Sequence, residues 1–350
     1  MVANSSPRAG PLLSIQYLRA IAALMVVAHH ARNPATWLFN PMHDATWGAT
    51  GVDIFFVVSG FIMFWAARDE TVGAFAWRRF LRIAPFYWAA TLVMLGLQVT
   101  TKGEALTPDL IRHVVLSLLF VPHESPLAPG VWPYLVPGWT LNFEVFFYAV
   151  FAVGLLVRRP AAATSAIILL LMALGLWLSP EGAAPGTYTS LQLLPFVLGL
   201  WIAVAGVSAT ASKAAPLTLG ALAPLGFAYL VWAGNAPDAI VGRAIAAAAV
   251  VLGAVALEPR LPRWPAMKLL GDASYAIYLT HTLTLPVVQI VLKRAPLTGP
   301  VQFAIVMVVS IVISAAVGVA VHKLVEKPFL RWATARQAGA GLLSRNEAGS

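Results

Sequence analysis

An arginine at position 19 and a histidine at position 30 lie 11 residues apart inside the first stretch apolar enough to cross a membrane, LLSIQYLRAIAALMVVAHHA at 12–31. Eleven residues turn an α-helix through about 1,100°, so the two side chains fall within roughly 20° of one face, about 16 Å apart along the axis. An ionisable group in a spanning helix costs about 2.5–3.5 kcal/mol on insertion scales, and two on one face call for a shared polar cavity. Their chemistries are complementary. A guanidinium stays charged and forks two N–H donors onto a phosphate, whereas an imidazole exchanges a proton near neutral pH. The plainer alternative has Arg19 snorkelling to a surface and His30 capping the helix before Pro34.

Further polar residues recur at matching depths. In WRRFLRIAPFYW (77–88), Arg79 and Arg82 are three apart and share a helical face, while Arg78 is displaced by about 100°. Arg79 and Arg82 could grip a phosphorylated ligand with Arg19 as a third cation; the alternative is contact with lipid phosphates. In GVDIFFVVSGFIMFW (51–65), Asp53 sits at the level expected for His30, its natural partner, while Ser59 and Gly60 read first as a packing site. In PGWTLNFEVFFYAVF (137–151), Glu144 is expected at that same level, able to orient His30, bind an acceptor hydroxyl or hydrogen-bond to Tyr148 one turn on. Tyr278 and His281 share a face in DASYAIYLTHTLTLP (272–286), where His281 reads first as a hydrogen-bonded interior residue. No metal site is expected: His29 and His30 diverge by about 100°, and there is no HExxH. Neither a Walker motif nor GxGxxG is present.

The elements that must position these groups are apolar helices. Of 350 residues, 59% are hydrophobic and 11% charged, too apolar for a soluble core to hide. The chain reads as an all-α integral membrane protein with about ten transmembrane helices and no soluble domain. The expected spans are 12–31, 50–67, 79–98, 139–157, 163–179, 188–206, 214–233, 240–257, 272–292 and 300–323. A shorter run at 110–121 reads as a re-entrant or interfacial helix. The first span contains Arg19 and lacks a small-residue cleavage site, so it reads as a retained helix and not a signal peptide. With both termini cytoplasmic, 16 Lys and Arg face inward and 6 outward, which sets the orientation as N-in, C-in. Residues 1–11 then form a cytoplasmic lead, 12–325 the transmembrane domain and 326–350 a cytoplasmic tail. The net charge of +9 belongs to this inward bias and not to nucleic-acid binding. The loop at about 98–138 lies outside, and its HESPLAPGVWPYLVPGW carries rings suited to interfacial anchoring or to stacking on sugars. With no cysteine, any covalent acyl intermediate would need Ser, Thr, His or a carboxylate.

Taken in order, SIQYLRAIAALMVVAHH, GVDIFFVVSGFIM, FAWRRFLRIAPFYW, VPGWTLNFEVFFY, LGDASYAIYLTH and VEKPFLRW resemble the bacterial membrane-bound acyltransferase-3 family. Within it, the similarity is greatest to exopolysaccharide O-acetyltransferases of the succinoglycan type. The resemblance spans nearly the whole chain. It implies a ten-helix enzyme of the bacterial cytoplasmic (inner) membrane that moves an acetyl or other short acyl group from cytoplasmic acyl-CoA. The implied acceptor is a hydroxyl of an extracytoplasmic or lipid-linked glycan, beside polysaccharide-synthesis machinery. The family's Arg-x10-His falls on Arg19 and His30, its Arg-x-x-Arg on Arg79 and Arg82, and the Glu of its Trp-x4-Glu on Glu144. The soluble esterase-like domain of larger relatives is expected to be lacking here.

These readings combine into an expected mechanism. Arg19, Arg79 and Arg82 bind the acetyl-CoA phosphates, and the pantetheine arm brings the thioester to His30. His30 deprotonates the acceptor or first takes the acyl group itself, with Glu144 or Asp53 fixing its tautomer. Alternatives are an acceptor that is a small hydroxylated molecule, a proton-coupled transporter, and a non-enzymatic partner of a polysaccharide synthase.

Overall fold

A computed structural model describes residues 12–32, 37–209 and 215–335, and the side chains of 207–209 and 215–217 are left aside. The cytoplasmic lead at 1–11, Pro34, Lys213 and the tail at 336–350 lie outside the described residues. The described chain is all-helical, with no strand among those residues. Seven helical stretches are long and apolar enough to cross a membrane: Trp47–Ala67, Val72–Lys102, Gly138–Leu156, Pro160–Leu178, Pro237–Ala256, Ser274–Leu292 and Gly299–Ala335. Leu191–Gly206 and Thr218–Ala233 are apolar but shorter. Helix α1 (Leu13–Ala31) has 19 residues, but Gln16, Arg19, His29 and His30 dilute its apolar character. The chain is a multi-pass membrane protein.

Helix α1 is buried on nearly every side because alanine dominates its surface; Ala20, Ala22, Ala23 and Ala31 are fully buried. Small residues let neighbouring helices approach its backbone closely. The free N–H groups of its first turn are met by a distant carboxylate: Glu258 accepts from Leu13 N and Ser14 N, each at 2.7 Å. Tyr17 fastens the same end, its hydroxyl donating to Pro262 O and accepting from Trp264 N, both at 2.6 Å. The N-terminal end of α1, and with it Arg19, is thus fixed by the turn that follows the helix Ile240–Ala256.

The helix at Gly51–Ala67 packs backbone to backbone on that at Leu194–Ala209. A Cβ on Gly60 would strike the Phe196 carbonyl, and one on Gly199 the Val57 carbonyl, so each glycine admits the other helix. Phe196 stacks between Phe56 and Phe147, at 4.5 and 4.6 Å, joining these helices to Gly138–Leu156. The arginine-bearing helix runs unbroken from Val72 to Lys102, seven residues earlier than its expected start at 79, with Thr71 accepting from Ala74 N as its cap. Pro85 lies inside it, and Tyr275 OH donates to Ile83 O at 2.7 Å, tying Ser274–Leu292 to that point. The last helix continues beyond its expected end at 323, through a π-helical turn at His322–Glu326 to residue 335. The expected span 214–233 is divided into Ala215–Gly220 and Leu222–Ala233.

Candidate active site

Two cavities lie along the polar face of α1. The first, about 390 Å³, is lined by Arg19, Arg79, Arg82, Glu144, Tyr148 and Ser59, among others. The second, about 490 Å³, is lined by His30, His29, Asp53, His113, Trp132 and Arg243, among others. Val52 and Tyr278 line both, so these two side chains lie between the cavities. The separation expected along α1 is realised: Arg19 faces one cavity and His30 the other.

Three guanidiniums meet a single lining carboxylate in the first cavity. Their donors are under-used. Arg19 Nη1 reaches only Gln16 Oε1, at 3.5 Å, and Arg79 Nε is buried without a hydrogen-bond partner. Arg82 has no hydrogen bond or ion pair among the described residues. Arg79 lies over the rings of Phe75 and Tyr148, at 5.5 and 5.9 Å to the centroids. Arg78 points elsewhere and pairs with Glu70, as the 100° offset requires. Unspent donors on three converging cations suit a polyanion such as a phosphorylated donor.

Glu144 belongs to this cavity and not to the level of His30. Its Oε1 accepts from Ser59 Oγ at 3.0 Å and from Tyr148 OH at 2.5 Å. The expectation that it sits beside His30 is corrected by simple geometry. Six residues from Gly138 already carry it about 9 Å into the helix, and its side chain turns toward Tyr148, one turn further in. Ser59 likewise does more than pack; the packing role falls to Gly60.

Asp53 does line the His30 cavity, but it is engaged by Arg243, whose Nε is 3.3 Å from Oδ2. The expected His30–Asp53 pairing is therefore corrected. A buried carboxylate takes the nearest countercharge, and Arg243 reaches it from the helix Ile240–Ala256 packed against Gly51–Ala67. Arg243 is held in turn by Asn235 Oδ1 and Ala236 O, each at 3.0 Å. Arg243 falls within the expected span 240–257, in GRAIAAAAVV, as apolar a setting as that of Arg19, yet it does not appear among the candidate site residues read from the sequence.

The partner of His30 is another histidine. His281 Nδ1 lies 2.6 Å from Tyr278 O, so it must donate, which leaves Nε2 as an acceptor in the neutral ring. That Nε2 is 3.2 Å from His30 Nδ1, which also lies 3.0 Å from Val26 O. His30 Nδ1 therefore carries the hydrogen, and Nε2 keeps its lone pair with no partner among the described residues. His281, expected as a satisfied interior histidine, is buried and satisfied, and it also sets the tautomer of His30. Among the described residues, no group of three or more His, Cys, Asp or Glu stands ready to hold a metal ion.

The family described as "Acyltransferase domain" matches residues 12–319. The exopolysaccharide production protein ExoZ of Rhizobium meliloti (strain 1021) is 37% identical over 319 residues, covering 87% of this chain and 96% of that protein. The acyltransferase MdmB of Streptomyces mycarofaciens is 27% identical over 314 residues, 80% of each chain. Nodulation protein 10 of Rhizobium leguminosarum bv. viciae is 27% identical over 191 residues, about half of each. No solved structure matches. The helices define a multi-pass membrane protein, and the chain belongs to the acyltransferase-3 family. Its activity is that of an O-acyltransferase.

Proposed function

We propose that the protein transfers an acetyl or other short acyl group from cytoplasmic acyl-CoA to a hydroxyl of an extracytoplasmic or lipid-linked glycan. The observation that carries this reading is that, among the described residues, only Val52 and Tyr278 are common to the lining of the two cavities, one holding three under-satisfied guanidiniums and the other a histidine with a free lone pair. The topology that goes with it has ten crossings within 12–325 and both termini in the cytoplasm, as the Lys and Arg bias favours. The arginine cavity then opens inward and the histidine cavity outward, in the bacterial inner membrane. The exopolysaccharide role in the name of the Rhizobium relative supports a glycan acceptor.

Arg19, Arg79 and Arg82 bind the donor's phosphates, and the slender arm beyond them passes Val52 and Tyr278 toward His30. His30 Nε2 takes the proton of the acceptor hydroxyl as its oxygen attacks the thioester carbonyl. The C–S bond breaks, and His30 returns the proton to the departing thiolate. His281 holds the His30 ring and shares the charge it gains. Glu144, fixed by Ser59 and Tyr148, balances the arginines and limits their grip on the released coenzyme. Asp53 acts through Arg243 to shape the outer cavity wall, a positioning role.

The test is acetyl-CoA turnover by the purified protein in detergent, wild type beside His30→Ala and Arg82→Ala. Release of free CoA by wild type, its loss in His30→Ala with donor binding intact, and weaker donor binding in Arg82→Ala support the assignment. Failure of the wild type to bind CoA at millimolar concentration overturns the choice of donor and points to another phosphorylated acyl carrier.

A further inference from the structure

A second histidine pair lies on the outer cavity. Helix Pro108–Leu118, capped by Thr107 and outside the spans, carries His113, which is 2% exposed yet lines the cavity. His123 Nδ1 is 2.7 Å from Val121 O and must donate to it, so His123 Nε2 is an acceptor. His113 Nδ1 lies 2.6 Å from that Nε2 and supplies the hydrogen. The lone pair of His113 is thereby confined to Nε2, a buried atom with no hydrogen-bond partner. Burial and the neighbouring His123 push the His113 pKa down to about 4, so the ring stays neutral at cellular pH.

The surroundings complete a site. Ser117 Oγ donates to His113 O at 2.7 Å and accepts from Tyr134 N at 2.8 Å, clamping the aromatic loop over this helix. Trp132 and Trp139 line the same cavity with ring planes at 90° and centroids 6.4 Å apart. A buried, neutral nitrogen acceptor demands a donor, and a hydroxyl on a ring with apolar faces supplies both the O–H and the surface that indoles stack on.

Resting on the O-acyltransferase reading above, we infer that the outer cavity is an acceptor-sugar subsite in which His113 Nε2 accepts a hydrogen bond from a hydroxyl of the glycan and Trp132 and Trp139 flank its ring. His113 binds the acceptor, whereas His30 takes the reacting proton. The two tasks are separable because the two pairs are built independently, His113 on His123 and His30 on His281.

Two variants separate binding from folding. His113→Asn keeps an N–H near the Nδ1 position for His123 but deletes Nε2; His113→Gln restores a polar acceptor near Nε2. With methyl β-glucoside and methyl β-galactoside as acceptor probes and saturating acetyl-CoA, His113→Asn is expected to raise the acceptor KM about five- to tenfold. The donor KM stays unchanged, and His113→Gln recovers most of the loss. Independently of turnover, the glycosides should raise the melting temperature of wild type and leave that of His113→Asn unmoved. An unchanged acceptor KM in His113→Asn, or an equal loss in donor and acceptor KM, overturns the inference while the transferase reading stands. A wild type that is stabilised by CoA but by neither glycoside likewise removes the sugar subsite. Absence of any CoA effect instead marks failure of the underlying reading.

Discussion

His281 Nε2 stands 3.2 Å from His30 Nδ1, and the bond between His281 Nδ1 and Tyr278 O fixes which ring gives and which receives. An imidazole here occupies the place that a carboxylate holds in many acid–base pairs. A histidine in this place avoids burying an anion beside the His30 ring.

Removal of this orienter should cost rate and not donor binding. His281→Phe is expected to lower kcat roughly ten- to a hundredfold with the acyl-CoA KM unchanged. His281→Gln, which places an acceptor near the old Nε2, should restore much of it. His30→Ala should lose about 10²–10⁴-fold, the usual range for a general base. Initial rates over a range of donor concentration decide between these outcomes.

The arginines should show the opposite split. Arg79→Ala and Arg82→Ala are expected to weaken acyl-CoA binding about ten- to a hundredfold each, from the loss of charge-assisted hydrogen bonds. Arg82→Lys should recover part of the loss, because it keeps the charge without the forked donors. Equilibrium binding of a non-hydrolysable acyl-CoA analogue reads this without turnover.

Much of this site was legible in the sequence, and the boundary of legibility is instructive. Arg19 and His30 were placed on one face by helical period alone, and Arg79 with Arg82 by their spacing of three; the structure brings Arg19, Arg79 and Arg82 to one cavity. Partnerships between helices were not legible. Asp53 was assigned to His30 because depth suggested it, but depth says nothing about which helix packs alongside, and Arg243 was the neighbour. Glu144 was misplaced because counting residues from a helix start ignores the direction of its side chain. The unbroken run from Val72 was missed because Arg78, Arg79 and Arg82 interrupt the apolar signal directly after VGAFAW, so that short stretch does not join the span that follows.

Splitting the Asp53–Arg243 pair should be costlier than removing it. Asp53→Asn or Arg243→Met leaves one buried charge alone and is expected to destabilise by about 3–5 kcal/mol. Asp53→Leu combined with Arg243→Met should be considerably more stable than either single variant. Melting temperature in detergent makes the comparison.

The depressed pKa of His113 gives a pH dependence with a defined sign. Its folded-state value of about 4 lies below the unfolded value near 6.5, so the unfolded chain binds the proton more readily. The resulting loss of stability is absent above pH 6.5, grows as pH falls, and is complete below about 4. Wild type should therefore lose more melting temperature than His113→Asn between pH 6.5 and 4, with His123 and the hydroxyl of Tyr134 held in common.

The most direct measurement is sidedness. Protein is reconstituted into vesicles with acetyl-CoA on one face and a membrane-impermeant glycan on the other. Transfer should occur only with CoA at the face bearing Arg79 and Arg82 and the glycan opposite, and should vanish in His30→Ala. Transfer that requires both substrates on the same face would contradict a single path from the arginines past Tyr278 to His30.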